Sequence, residues 1–383
     1  MMPSGLLPSE MPAYLRGLNS QAAQRVTFTL MKLDHTVLRD LRPVALDGQV
    51  DFNDDGSADV LRRLQAGFFD PDHALHLDAD SPTDGVAGMN RLIRVTVSHL
   101  IEELGRWVSV PVFTGRPSVI ARDGAKVMVQ AQDKACLHLR NAPIDYISRN
   151  TPVIAAIHDG LYAAGERFFR FPPVHSVPDK VLKHTVVGGP NDEHQPWKVW
   201  RKLAHDAGLQ LYPDGAGYFV LRPYPYSDPT VTWDASNLTS NVQTETDLTT
   251  IRNRVVVNGH GHQVGRATAQ AGEEFSPAHL AIGDENWVNI AFLDATNLRG
   301  HRLDKFATKQ LAKVLTETTT VRMNVAPMFH LDPLDWCAVN LASGRLGFAL
   351  REASLPLGDD SDMPIGSQKR VRSASAGRIG VAA

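Results

Sequence analysis

The residues of this chain best suited to chemistry by type and spacing lie in the segment DFNDDGSADVLR. Asp51, Asn53 and Asp55 set hard oxygens at alternate positions, Gly56 permits a sharp turn, and Asp59 stands at the ninth position of a calcium loop. Position twelve, where a bidentate glutamate belongs, is Arg62. The segment therefore reads as a polar hairpin loop before it reads as a cation site. In Asn258-Gly259-His260-Gly261-His262 the two imidazoles would share one face of a strand, but zinc needs further ligands that no neighbouring spacing supplies. A surface turn is the simpler reading. His205-Asp206 closes a helical stretch, where a cation complements the helix dipole. Carboxylates crowd the stretch from Asp70 to Asp84, without the apolar wall that raises a glycosidase acid, so that stretch reads as a solvated loop. Trp197 and Trp200 at helical spacing read as core. No H-E-x-x-H, G-x-S-x-G or Walker loop occurs, and neither cysteine stands in a nucleophile context. No catalytic, cofactor-binding or metal residue is assigned, and the protein is expected not to be an enzyme.

The composition, with 43% hydrophobic and 21% charged residues, is that of an ordinary globular protein. A chain of 383 residues is long enough for about two to four units. A net charge of −3 gives no global basic footprint for nucleic acid. Cys136 and Cys337 lie far apart in apolar runs, which predicts free thiols. The N-terminus lacks the basic start and apolar core of a secretory signal, and no window approaches the ~20 apolar residues of a membrane span. The expectation is a soluble protein made in the cytoplasm. The basic residues Lys369, Arg370, Arg372 and Arg378 near the C-terminus read as a solvated or partner-ordered terminus, with DNA or an acidic partner surface as the alternative contact.

Hydrophobic periodicity divides the chain into an arm (1–22) whose order depends on a partner, a β unit (23–134), an α+β unit (135–250), a second β unit (251–360) and a basic tail (361–383). In the first β unit RVTFTLMKL and NRLIRVTVSHL alternate, WVSVPVFTG carries Pro111 as an edge or bulge signal, and Asp123-Gly124 suits a type I′ hairpin. The α+β unit opens with a helix capped by Thr151 with Pro152 at its first position, burying Val153, Ile154, Ile157 and Leu161. A second helix places Trp197, Trp200, Leu203, Ala204 and Ala207 on one side and stops at Gly208, before a hairpin turning at Asp214-Gly215. The second β unit holds the strand Val255–Val257, a helix with Leu303, Phe306, Ala307, Leu311, Val314 and Leu315 on one stripe, and a strand in which Val321, Met323 and Val325 alternate with Arg322 and Asn324. The fold class is β-rich α+β, with two barrel-like antiparallel domains separated by the α+β insert.

Taken in order, RLIRVTVSHL, VPVFTGRPSVIARDGAKVMVQAQD, WKVWRKLAHDAGLQLYPDGAGYFVLRP, RNRVVVNGHG, DKFATKQLAKVL and HLDPLDWCAV resemble the tail hub (baseplate hub) of long-tailed phages and related injection machines. The resemblance covers roughly residues 25–355. It implies a homotrimeric ring at the virion tail tip. Two tube domains per chain would meet the hexameric tail tube or distal tail ring, spike or fibre proteins would lie beyond, and tape-measure protein and DNA would pass through the channel. Duplication resolves the threefold-to-sixfold mismatch, and open sheet edges pairing between subunits would remove aggregation-prone edges. The chain lacks the long C-terminal extension that carries a hydrolase or receptor-binding part in many relatives, which places those functions on other chains. A tail-tip hydrolase and a glycan-binding tail module are the alternatives. The strands at 25–33, 91–98, 107–114, 254–259 and 320–326 are expected to pair with a neighbouring chain or line the channel, and Arg94→Glu to damage assembly alone.

Overall fold

The computed structural model describes residues 6–19, 23–41, 45–54, 61–71, 91–138, 146–172, 181–182, 185–187, 195–223, 229–234, 238–246, 251–270, 276–278, 288–295, 299–316, 319–342, 344–358 and 362–367. Helix α1 (Met11–Asn19) precedes the strands β1 (Gln24–Lys32), β2 (Val37–Asp40), β3 (Ala45–Asn53), β4 (Arg62–Phe69), β5 (Arg91–Ile101), β6 (Arg106–Asp123) and β7 (Lys126–Asp133). Strict alternation dictates which face they bury. Leu64, Ala66 and Phe68 of β4 and Val127, Val129 and Ala131 of β7 point inward, while Arg63, Gln65, Lys126 and Gln130 stay exposed. Pro111 marks a bulge. Val95 faces Phe113 but Thr96 faces Pro111, so one residue of β6 is left over where proline offers no N–H to the ladder. The β6–β7 hairpin turns one residue later than Asp123-Gly124. Asp123 still pairs with Lys126, and only Gly124 has positive φ (56°), the first-position pattern of a II′ turn.

The second unit contains β8 (Tyr146–Ile147), α2 (Val153–Ala163), β9 (Phe169–Arg170), β10 (Val186–Val187), α3 (Pro196–Ala207), β11 (Leu209–Pro213) and β12 (Phe219–Pro223). Helix α2 starts one residue after the expected position. Pro152 occupies the cap with extended backbone, and the Thr151 hydroxyl donates to Ser148 O rather than capping the helix. Helix α3 has Pro196 in its first turn and Gly208 in the left-handed region (φ 82°), as the sequence signals require. Trp197 and Trp200 are fully buried between α2, α3 and the β9–β11–β12 sheet, which settles them as core. The β11–β12 turn is longer than a two-residue Asp214-Gly215 hairpin. Asp214 accepts the Tyr218 N–H, and the positive φ falls at Gly217.

The remaining elements are β13 (Val231–Asp234), β14 (Gln243–Thr246), β15 (Arg254–Asn258), β16 (Val264–Thr268), β17 (Ile290–Asp294), α4 (His301–Thr316), β18 (Thr319–Val325), β19 (Trp336–Leu341), β20 (Gly344–Ala349), β21 (Glu352–Pro356) and β22 (Met363–Ser367). Strands β15–β17 and α4 share a separate small core of Val255, Val257, Leu303, Ala307 and Leu311. The Val314 and Leu315 side chains lie outside the described residues.

The last strands join the first ones. β21 pairs antiparallel with β3 (Val50 opposite Leu355), giving one eleven-stranded antiparallel sheet in the order β14-β18-β22-β21-β3-β4-β7-β6-β5-β1-β2. The smaller β13-β19-β20 sheet contributes Val231, Trp233, Cys337, Val339 and Phe348 to the same core. The fold is β-rich α+β, and no closed barrel forms among the described residues. Both cysteines are free thiols.

The N-terminal arm takes its order from the chain itself. Tyr14 is fully buried, Leu6 and Leu18 join the main core, and Arg16 and Glu10 reach Glu103 and Arg106 at 2.8 and 2.7 Å. Truncation of Tyr14 to alanine is expected to cost about 3 kcal/mol in urea unfolding and to open α1 to trypsin at Arg16. A loss below about 1 kcal/mol would show that α1 is not part of the core.

Candidate functional site

The described residues with the most strongly shifted ionisable groups gather where the three units meet. Asp133, at the end of β7, accepts the backbone N–H groups of Leu61 (2.9 Å), Arg62 (2.7 Å) and Ala135 (3.0 Å). Burial pushes its carboxyl up to about 6, against the pull of those N–H groups and of Arg62. The Arg62 side chain is itself buried. It donates to Pro213 O at 2.6 Å and pairs with Asp332. Asp332 also accepts the Tyr212 hydroxyl at 3.3 Å. Desolvation alone would raise its carboxyl, but surrounding cations, Arg62 and Arg222 among them, hold it down at about 2. Arg222 binds Asp335 at 2.7 Å and Gln210 at 2.8 Å, and Asp335 accepts the Asp332 N–H at 2.8 Å. Charges removed from water in this way persist only when each is matched.

A second polar cluster lies beside this network. Lys134 and Glu166 form a buried ion pair at 2.6 Å, with the ammonium over the rings of Phe168 and Phe219. His35 sits at the β1–β2 turn with φ 64° and stacks on Phe168 at 3.7 Å. Burial, then Lys134 and Arg94, push its pKa down to about 3, which keeps the ring neutral. Arg94 lies 3.0 Å from His35 Nδ1 and donates to Ala216 O at 2.9 Å, while Thr114 donates to Gly215 O at 2.8 Å. Gly215 is required here, because a Cβ would stand 2.1 Å from Pro111 O. The bulge in β6 and the loop after β11 thus fit together backbone to backbone.

This geometry answers the sequence expectations residue by residue. Asp51 is turned toward its own sheet, taking the Ser354 hydroxyl at 2.5 Å and the Gln49 amide at 2.9 Å. Asn53 N–H closes the β3–β4 hairpin on Leu61 O, Asp54 pairs with Arg201 at 3.0 Å, and Arg62 is spent in the buried network. Asp55, Gly56 and Asp59 lie outside the described residues, as do the carboxylates beyond position 71 up to Asp84 and the basic residues Lys369, Arg370, Arg372 and Arg378. Asp70 is buried against Arg122 at 2.9 Å. His260 and His262 belong to a short helical turn, and His205 and Asp206 lie exposed, 3.6 Å apart, at the end of α3.

The expected interface strands need correction. The strands at 25–33, 91–98, 107–114, 254–259 and 320–326 fall on β1, β5, β6, β15 and β18; β5, β15 and β18 pair on both sides within the chain, β1 meets β2 only over Thr29–Met31, and Trp107–Thr114 of β6 pairs with β5 alone, β7 joining from Gly115. Most of their length is therefore taken up by pairing inside the chain. The large sheet ends instead at β2 and β14, and Val37 (62% exposed) and Leu38 (41%) stand uncovered on β2. Arg94 is likewise an intrachain residue, so Arg94→Glu would disrupt this seam before it touched any assembly. Sequence reasoning missed Arg62, Tyr212, Arg222, Asp332 and Asp335 because only the tertiary fold brings them together.

No protein-family model and no curated protein matches the chain. Among solved structures, the chain is similar to the tail protein from Neisseria meningitidis MC58 (TM-score 0.60, 13% identity, covering 89% of this chain and 95% of that one). It is equally similar to the 43 kDa tail protein of prophage MuSo2 from Shewanella oneidensis (TM-score 0.60, 9% identity, 91% and 98% covered). The prophage tail protein gp18 from Listeria monocytogenes EGD-e follows at TM-score 0.54, 9% identity, and 91% and 95% covered. At these identities the likeness is one of fold.

One group gives the molecule a defined acid response. His99 lies buried on β5 beside Phe329 (ring centroids 5.2 Å apart), and burial pushes its pKa down to about 4. An unfolded histidine titrates near 6.5. The neutral ring favours the fold, so its stabilisation is complete above that pH and is lost as pH falls toward 4, by about 3 kcal/mol. Urea unfolding of the wild type and of His99→Phe at pH 7 and about pH 4 checks this. The variant should lose about 3 kcal/mol less than the wild type over that interval, and equal losses would contradict the assignment.

Proposed function

We propose that this chain is a structural component of a phage-type tail, built as a ring of copies around a channel at the tail tip. One feature supports this reading most directly: in a fold similar to that of solved tail proteins, the long sheet has polar rows on its outer face and ends in two edge strands, β2 and β14, each paired on one side among the described residues. Gln49, Gln65 and Gln130 align across β3, β4 and β7, and Asp51, Arg63, Gln132 and Arg116 form the next row. Amides with interspersed opposite charges offer a passing polymer no single-sign field to bind, although Phe69, Val119 and Met128 stand exposed beside these rows.

In this reading three copies meet head to tail, β2 of one beside β14 of the next. A heterologous contact of this kind closes into a ring when the rotation permits, and it removes both open edges. The ring would sit against the hexameric tail tube or distal tail ring. Tape-measure protein and DNA would pass through it, and spike or fibre proteins would complete the tip. No catalytic role is assigned. The shifted carboxylates Asp133 and Asp332 are engaged in the seam between units, and Asp214 pairs with Arg170 inside the α+β unit.

Native mass measurement of the purified chain, with negative-stain class averages of the same sample, tests the proposal. Three copies around a central hole are expected. Val37→Lys combined with Leu38→Lys should give monomers with an unchanged melting temperature, since both side chains are exposed in the single chain. Monomers of the wild type at every concentration and in the presence of the adjoining tail ring would overturn it.

A further inference from the structure

The outer face of the large sheet is hollowed at its β14 end into a cleft of about 520 Å³. Its floor carries Asp51 of β3, Glu352 and Ser354 of β21 and Arg322 of β18, and its wall is the segment from Ser240 to Gln243. Ser240 fixes that wall by accepting the Asn324 N–H at 2.8 Å, and Thr239 N–H donates to Asn324 O at 3.2 Å. The volume suits a short extended peptide rather than a large ligand. Amides and hydroxyls on the wall match backbone N–H and C=O groups.

Charge narrows the choice of peptide. Asp51 and Glu352 stand near two guanidinium groups, Arg322 on β18 and Arg63, the neighbour of Asp51 on β4. Arg322 is 60% exposed and forms a loose ion pair with Glu352, its Nε 3.6 Å from Oε1. The Ser354 hydroxyl and Gln49 amide orient the Asp51 carboxylate without neutralising it. Glu245, exposed on the bordering strand β14, adds a further negative charge. With Asp51, Glu352 and Glu245 against Arg322 and Arg63, the cleft and its border hold one more acid than base and suit a basic, extended segment.

The chain supplies one at the cleft's own rim. Residues 368–383 contain Lys369, Arg370, Arg372 and Arg378 and no aspartate or glutamate. They follow Ser367, the last residue of β22, which pairs with Val321 next to Arg322. The preceding residue, Gly366, lies directly beneath Glu352, where a Cβ would meet Oε1 at 2.5 Å. Strand β22 runs between β18 and β21, so the basic segment starts within about 5 Å of both walls of the cleft floor. An extended residue spans about 3.3 Å, so four or five residues turned back from Ser367 cover the cleft. We propose that this cleft is the docking site of the chain's own segment 368–383, with its lysine and arginines against Asp51 and Glu352.

Limited trypsin digestion of the full-length chain, followed by mass, reads the contact at Lys369, Arg370 and Arg372. At about 20 mM salt these sites should be cut about tenfold more slowly in the wild type than in Asp51→Asn with Glu352→Gln, and the difference should vanish at about 500 mM salt. Equal cleavage at low salt overturns the proposal, provided both proteins melt alike. If the variant fails to fold, Asn241→Cys with Ser373→Cys decides the matter in the intact chain. A disulfide within one chain is expected. A disulfide formed only between chains, or none, overturns the proposal.

Discussion

Arg62 is the constraint on which the arrangement of the chain depends. A guanidinium this deeply buried must be matched on every side, and its partners come from distant parts of the sequence. Its N–H meets Asp133, its side chain donates to Pro213 O 151 positions away, and it pairs with Asp332 at a separation of 270. Strand β4, the turn after β11 and the loop before β19 are fixed to one another by a single residue. Arg222 repeats the device one step along, through Gln210 and Asp335. Buried ion pairs of this kind add little net stability over an apolar substitute, but losing one member is severe because the other is left charged and dry. The network thus penalises every arrangement in which the helical unit is displaced from the sheet.

With that unit held, the large sheet is left free to be a wall. Its inner face is closed by the β13-β19-β20 layer and by α1, and its outer face carries polar rows on β3, β4 and β7 with exposed Phe69, Val119 and Met128 among them. Covering the inner face and leaving the two ends open puts the open edges of the large sheet, among the described residues, at β2 and β14 on its opposite ends. Arg94 and Thr114 lie in interior strands and serve the seam rather than an interface.

The elements were legible in the sequence wherever a local pattern dictates them. Alternation in β4 and β7, the burial of Trp197 and Trp200 and the stop of α3 at Gly208 follow from residues a few positions apart. Pro111 signalled a bulge for the same reason. What could not be read was pairing at long range. Nothing local in Glu352–Pro356 announces that it will lie beside Ala45–Asn53, and this pairing joins the two β units into one sheet. The arm was misjudged because its few apolar residues, Leu6, Tyr14 and Leu18, find their partners on β5 and in the loop before β19, far along the chain. Arg62 looked like a failed calcium ligand, when its role is set by residues that only the fold assembles. Turns were shifted by a residue or more where a side chain overrides composition, as Asp214 does by capping Tyr218.

A double-mutant cycle on Arg62 and Asp332 probes the central constraint most directly. Arg62→Met and Asp332→Leu would be compared singly and together by urea unfolding, with amide exchange followed in β11 and β12. Each single change should cost about 3–5 kcal/mol and speed exchange in those strands, whereas the double variant should cost far less than their sum. Costs that add to within about 0.5 kcal/mol, with exchange in β11 and β12 unaltered, would show that the helical unit is held by something other than this ion pair.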